Sequence, residues 1–191
     1  MIKISTPVLL GFNRVEPREW GIDGIILELL TEIGSLGRAL TIWEDYRYGR
    51  KSRHQLGDEL SDVFFVLVKL MWDLKIEPSS TLEIIKINTP EEAHFQLMRL
   101  ATEIAKIKNN TPLPLFTIQK IIEKMIGLVD GLAARYNLPL NQIHEEEMRL
   151  ATLWQKIFFK TNGKKARFFV FWRKMLWFFI VWRHERAIER M

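Results

Sequence analysis

The chain has 191 residues, of which 48% are apolar and 27% charged, with a formal net charge of +5. That is enough apolar chain for one sizeable core or two small ones, and it excludes an intrinsically disordered polymer. The absence of cysteine excludes a disulfide framework, a thiolate metal site and a cysteine nucleophile, and fits a cytoplasmic protein.

Taken in order, the N-terminus MIKISTPVLLGFNRVEPREW has too short an apolar run, too soon followed by acidic residues, for a signal peptide. Residues 1–16 show no clear period and are expected to form an extended or irregular lead-in, with Pro17 suited to the first turn of the opening helix. Ile22, Ile25, Ile26, Leu29, Ile33, Leu36, Leu40 and Trp43 then recur three or four apart, which predicts an amphipathic helix. Asp45 to Ser52, with Gly49, reads as a connection. Leu56, Leu60, Val63, Phe64, Leu67, Met71 and Leu74 predict a second helix with the same period.

Pro78 and the Ser79–Ser80 pair open a short segment, TLEIIKIN. Thr89, Pro90 and Glu92 have the spacing of a helix start with proline at its first position. Pro112 and Pro114 break the chain before a further helical pattern through Ile118, Ile122, Met125, Val129, Leu132 and Tyr136. Pro139 precedes a last pattern, QIHEEEMRLATLWQKIFF. No alternating strand pattern of any length occurs, so the expected class is all-α.

Acidic residues border both leading apolar stripes: Glu28 and Glu32 on the first helix, Glu59 and Asp62 on the second. Glu59 and Asp62 are three apart and share a helical face, as do Glu28 and Glu32 at four apart. If the two helices pack antiparallel, these carboxylates converge. Like charges brought together and desolvated call for a cation, and a hard divalent ion such as magnesium accepts carboxylate oxygens. The plainer reading, a solvated helix flank, applies to any single pair. Two clusters on consecutive helices favour the metal site.

LLTEIGSLGRAL, YGRK and DELSDVFFVLVKLMWDLKIE together resemble the MazG-like, all-α nucleoside triphosphate pyrophosphohydrolases, over roughly residues 20 to 80. That family carries E-x-x-E on one helix and E-x-x-D on the next. Glu59 and Asp62 match the second motif and Glu32 the first glutamate of the first motif, but Ser35 stands where the second glutamate belongs. The resemblance implies magnesium held by Glu32, Glu59 and Asp62; Glu28, on the same helical stripe as Glu32, is a fourth candidate acid. It also implies hydrolysis of a nucleoside triphosphate to monophosphate and pyrophosphate, with those three acids catalytic. Arg50, Lys51, Arg53 and Lys86 are candidate phosphate contacts and Trp43 a candidate base-stacking residue, beside the plainer readings of loop charge and core aromatic.

A weak internal repeat accompanies the resemblance. RLATEIAKI echoes LLTEIGSL, placing Glu103 under Glu32, and a slide of 62 residues lays Leu56 to Ile76 over Ile118 to Leu138. In that register Glu59 falls on Ile121 and Asp62 on Lys124, so the second half lacks the acids; a slide of one residue would put Glu123 under Asp62. The expected organisation is residues 1–88 as an acidic half, 89–160 as a degenerate half and 161–191 as a basic aromatic helix. His54 and His144 have no metal-ligand spacing and are expected at the surface or as caps.

The charge is concentrated at the C-terminal end. Residues 160–191 hold nine Lys or Arg against Glu185 and Glu189, a net +7, which leaves −2 for residues 1–159. ARFFVFWRKMLWFFIVWR is too short, with Arg173–Lys174 in its middle, to span a bilayer comfortably. Burial in a bundle or homo-oligomer, and contact with a membrane surface through residues 164–186, are both open. Nothing beyond composition supports specific nucleic-acid binding.

Overall fold

A computed structural model of the chain describes residues 2–12, 21–77, 83–158 and 166–190, with the side chains of residues 5–11, 21–77, 83–155 and 177–190. Among the described residues it is all-helical, as expected, and no strand occurs. The helices are α1 (Ile2–Phe12), α2 (Gly21–Trp43), α3 (Arg53–Asp73), α4 (Pro90–Ile107), α5 (Leu115–Arg135), α6 (Leu140–Phe158) and α7 (Ala166–Glu189). Pro17, Pro78, Ser79 and Ser80, which the sequence marked as element boundaries, lie outside the described residues. Among the described residues no helix is long and apolar enough to cross a membrane.

The chain forms two compact units, one holding α2–α5 and the other α1, α6 and α7. The first spans residues 20–140 and the second residues 1–19 with 141–191. A pair of amphipathic helices leaves one apolar face open, and α2 and α3 close theirs only with α4 and α5.

In the four-helix unit α2 packs on α3 and α4, and α5 packs on the same two helices. Leu29, Ile33 and Leu36 from α2, Leu60, Val63 and Leu67 from α3, Leu97, Ala101 and Ile104 from α4, and Ile122, Met125 and Val129 from α5 are fully buried. Each larger side chain contributes roughly 1.5–3 kcal/mol through the surface it removes from water. On α3 every residue from Val63 to Met71 is buried, so this helix is covered nearly all round.

Helix ends follow local chemistry. Ser52 caps α3 by accepting from the Gln55 amide at 3.1 Å, and Thr89 caps α4 by accepting from the Glu92 amide at 3.2 Å, with Pro90 in the first turn. Lys75 and Asn137 adopt positive φ of 55° and 53°, and each begins the same closing turn. Ile76 N–H donates to Met71 and Lys75 N–H to Trp72; Leu138 donates to Ala133 and Asn137 to Ala134. α3 and α5 are both 21 residues long and their bounds are displaced by 62 residues.

Residues 83–88 run as extended chain across α5. The Ile85 amide donates to the Gly127 carbonyl at 3.1 Å, and Arg135 donates to the Asn88 carbonyl at 3.1 Å. Gly127 and Gly131, one turn apart, form the seat: a methyl group on Gly131 would overlap the Ile85 carbonyl oxygen, and one on Gly127 the Glu83 carbonyl oxygen. On the other side of the bundle, His94 crosses α2 at Gly37 and its Nε2 lies 2.8 Å from the Ile33 carbonyl.

The second unit corrects two expectations. Residues 2–12 form α1 rather than an irregular lead-in, with Ser5, Val8 and Leu9 buried at helical spacing. The polar serine at the first of these positions, and Pro7 beside it, hide the period from a reading of hydrophobicity. His144 is fully buried on α6 rather than at the surface or a helix end, with Nε2 2.9 Å from the Ser5 hydroxyl. Nothing near His144 in the chain foretells a partner 139 residues away. Gln155 of α6 donates to the Val8 carbonyl at 3.0 Å.

Two predictions follow from these contacts. Gly131→Ala should lower stability by about 1–3 kcal/mol, because the Ile85 backbone must shift, whereas Gly34→Ala, with open space at its Cβ, should be neutral or stabilising by up to about 1 kcal/mol. Thermal unfolding of the two variants checks this, and equal effects would refute the glycine seat. Burial lowers the His144 pKa from 6.5 to about 4. A depressed pKa contributes stability above pH 6.5 that is lost as pH falls through about 4, so His144→Gln should flatten the loss of stability over that acid range.

Candidate metal centre

The candidate centre is built where α2 and α3 face each other. Glu32 lies on α2 beside fully buried Ile33, and Glu59 and Asp62 lie on α3 beside fully buried Leu60 and Val63. Burying the apolar stripes against each other therefore draws the acids at their edges together. A carboxylate oxygen from each of Glu32, Glu59 and Asp62 lies within 4.8 Å of the other two, and all three residues are half-buried.

Electrostatics record the crowding. Burial, and then the charge of Glu28 one turn away, raise the Glu32 pKa above its ordinary value. Glu59 is likewise raised by burial and then by the Glu32 charge, while the Arg38 guanidinium opposes the shift. Both groups thus resist ionisation in the absence of a cation, and partial exposure limits the energy involved.

Glu28 is engaged differently from the other three. Its carboxylate meets Lys69 of α3 at 3.1 Å, with the lysine side chain only 8% exposed. A buried ammonium requires such a partner, so this pair holds α2 to α3 beside the acid cluster. Ser35 is half-buried on α2 one turn beyond Glu32.

The candidate substrate residues are distributed. Arg53 donates to the Asn137 carbonyl at 2.7 Å and the Tyr136 carbonyl at 3.5 Å, tying the start of α3 to the end of α5. Lys51 pairs with Asp45 at 2.7 Å, and Arg50 is exposed in the same connection. Lys86 is exposed on the extended segment. Trp43 is half-buried, its ring edge-on to Tyr136 at 5.7 Å, and the Tyr136 hydroxyl donates to Glu44 at 2.7 Å.

The structure adds two cations that sequence reasoning passed over. Arg38 acts on Glu59, and Lys69 holds Glu28. Lys69 had a visible signal, as the one charge inside the apolar run VFFVLVKLM. Arg38 had only its place three residues beyond Ser35.

Because the Glu32 and Glu59 pKa values are raised, their contribution to folding is present at pH below about 4.5 and is lost as pH rises through the raised values. Glu59→Gln should therefore stabilise the metal-free protein near neutral pH by about 0.5 kcal/mol, a screened like-charge effect, and reduce the pH slope between 4.5 and 7. Urea titrations of both proteins in chelator at several pH values measure this. A destabilised variant with an unchanged slope would disprove the crowding. Comparison of the chain with protein-family models, with curated proteins and with solved structures gives no match.

Proposed function

We propose that this protein is a magnesium-dependent nucleoside triphosphate pyrophosphohydrolase of MazG-like type, with α2–α5 as a tandem of two related helical halves. The observation that carries the reading is the convergence of Glu32, Glu59 and Asp62 from two helices to within 4.8 Å. The equal lengths, the 62-residue displacement and the matching closing turns of α3 and α5 support the tandem arrangement.

The residues present fit magnesium. All three donors are hard carboxylate oxygens, and the crowding that raises the Glu32 and Glu59 pKa values supports a site for a positive charge. Glu32, Glu59 and Asp62 would hold the ion, which supplies charge neutralisation at the triphosphate and polarisation of its phosphoryl oxygens.

The chain's own groups do the remaining work. In the reaction a water oxygen bonds to the α-phosphorus, the bridging oxygen to the β-phosphorus leaves with its electron pair in pyrophosphate, and one proton must be accepted. The carboxylates of the cluster are the acceptors the chain offers for that proton.

A second reading, the fold retained without catalysis, is favoured by Ser35 in place of a carboxylate. One experiment separates the two: product analysis after incubating the protein with magnesium and a panel of NTPs and dNTPs. Wild type should yield monophosphate and pyrophosphate, and Glu59→Gln and Asp62→Asn should each reduce turnover by at least about 100-fold. Magnesium should bind wild type with about millimolar or tighter affinity and Asp62→Asn far more weakly. Absence of turnover by folded wild type with every nucleotide would overturn catalysis and leave the second reading.

A further inference from the structure

Helix α7 presents two different faces along its described side chains. His184 and Ile188, one turn apart, are 5% and 0% exposed, and His184 Nε2 meets Glu147 of α6 at 2.6 Å. That face is the seated one. On the opposite side Phe178, Phe179 and Trp182 are 64%, 57% and 44% exposed. Phe178, Trp182, Arg186 and Arg190 follow one another at four-residue spacing, so they form a line along the helix, with Phe179 and Arg183 beside it. Arg183, Arg186 and Arg190 are exposed, and the Arg186 guanidinium stacks on the Trp182 ring at 3.9 Å from its centroid.

Scattered apolar residues on a protein surface are ordinary, but three large aromatic side chains in adjoining positions of one exposed face are not. We propose that this face of α7 docks on the surface of an anionic lipid bilayer, with Phe178, Phe179 and Trp182 entering the boundary between headgroups and acyl chains. The arginines along the line would then meet lipid phosphates and acidic headgroups.

Charge selects this occupant. Residues 160–191 carry a net +7 while the rest of the chain carries −2, so the basic charge is gathered on the segment that bears the aromatic line. An anionic leaflet attracts such a segment at roughly fivefold in affinity per arginine near the surface. A second copy meeting the same face with its helix parallel would set arginine rows against each other. Trp182 also suits the interfacial depth, where its ring body is apolar and its indole N–H remains wet, while Phe178 and Phe179 add apolar area. Because no described helix is long and apolar enough to cross a membrane, the contact lies along the surface. It is independent of the proposed hydrolysis.

The test uses the full chain in vesicle flotation, with phosphatidylcholine alone and with about a third phosphatidylglycerol. Wild type should float with the anionic vesicles and remain behind with the neutral ones, and the bound fraction should fall as salt is raised. Phe178→Ser/Phe179→Ser/Trp182→Ser and, separately, Arg183→Glu/Arg186→Glu should each lower partitioning at least about tenfold. These side chains are largely exposed, and circular dichroism of each variant verifies that the helices remain.

Failure of wild type to bind anionic vesicles would overturn the proposal, as would binding that both variants retain. A dimer in light scattering that the triple serine variant abolishes, without vesicle binding, would assign the face to a second copy instead. Binding of single-stranded RNA through the same residues, with vesicles ignored, would equally refute the lipid assignment.

Discussion

The apolar seam between α2 and α3 is the constraint on which the rest of the acidic unit depends. Leu29, Ile33 and Leu36 must meet Leu60, Val63 and Leu67 to leave water, and this fixes the rotation of both helices. Once that rotation is set, the residues at the stripe edges have no freedom to separate. Glu32 is carried against Glu59 and Asp62, and Glu28 against Lys69. The acid cluster is thus a consequence of hydrophobic packing, sustained at an electrostatic cost that a cation would relieve. The buried ammonium of Lys69 meets Glu28 at the edge of this cluster.

The same seam explains why the four helices form one unit. α3 is buried over nine consecutive residues, more than α2 alone can cover, and α5 closes the remaining side. The extended segment before α4 contributes by lying on Gly127 and Gly131, where the lack of side chains lets a backbone approach a helix closely. Paired glycines one turn apart therefore do for this segment what leucines do elsewhere. They let two surfaces come near enough for the Ile85 amide to find a carbonyl on α5.

The unit of α1, α6 and α7 works with different chemistry. Its interior holds polar pairs, Ser5 with His144 and Glu147 with His184, alongside Val8, Leu9 and Ile188. Buried hydrogen bonds fix which residues face each other more specifically than apolar packing does. Acid acts oppositely on the two units, since protonation relieves the crowded glutamates and disrupts the buried neutral His144. On α7 the buried histidine face leaves Phe178, Phe179, Trp182 and three arginine side chains turned to solvent.

Much of the fold was legible because it rests on local rules. The three-to-four residue period marks α2, α3 and α5, Thr89–Pro90–Glu92 marks the start of α4, and prolines bound the later helices. Glu59 and Asp62 share a face by spacing alone. The sequence by itself therefore determined an all-helical chain with acids bordering two apolar stripes. Tertiary structure decided everything that needs a distant partner: the α1 helix, the burial of His144 against Ser5, the capture of Glu28 by Lys69, and the commitment of Arg53 to the end of α5. The physical reason is that helix period and capping depend on neighbours within a turn or two, whereas the environment of a charge depends on which other helix comes to lie beside it.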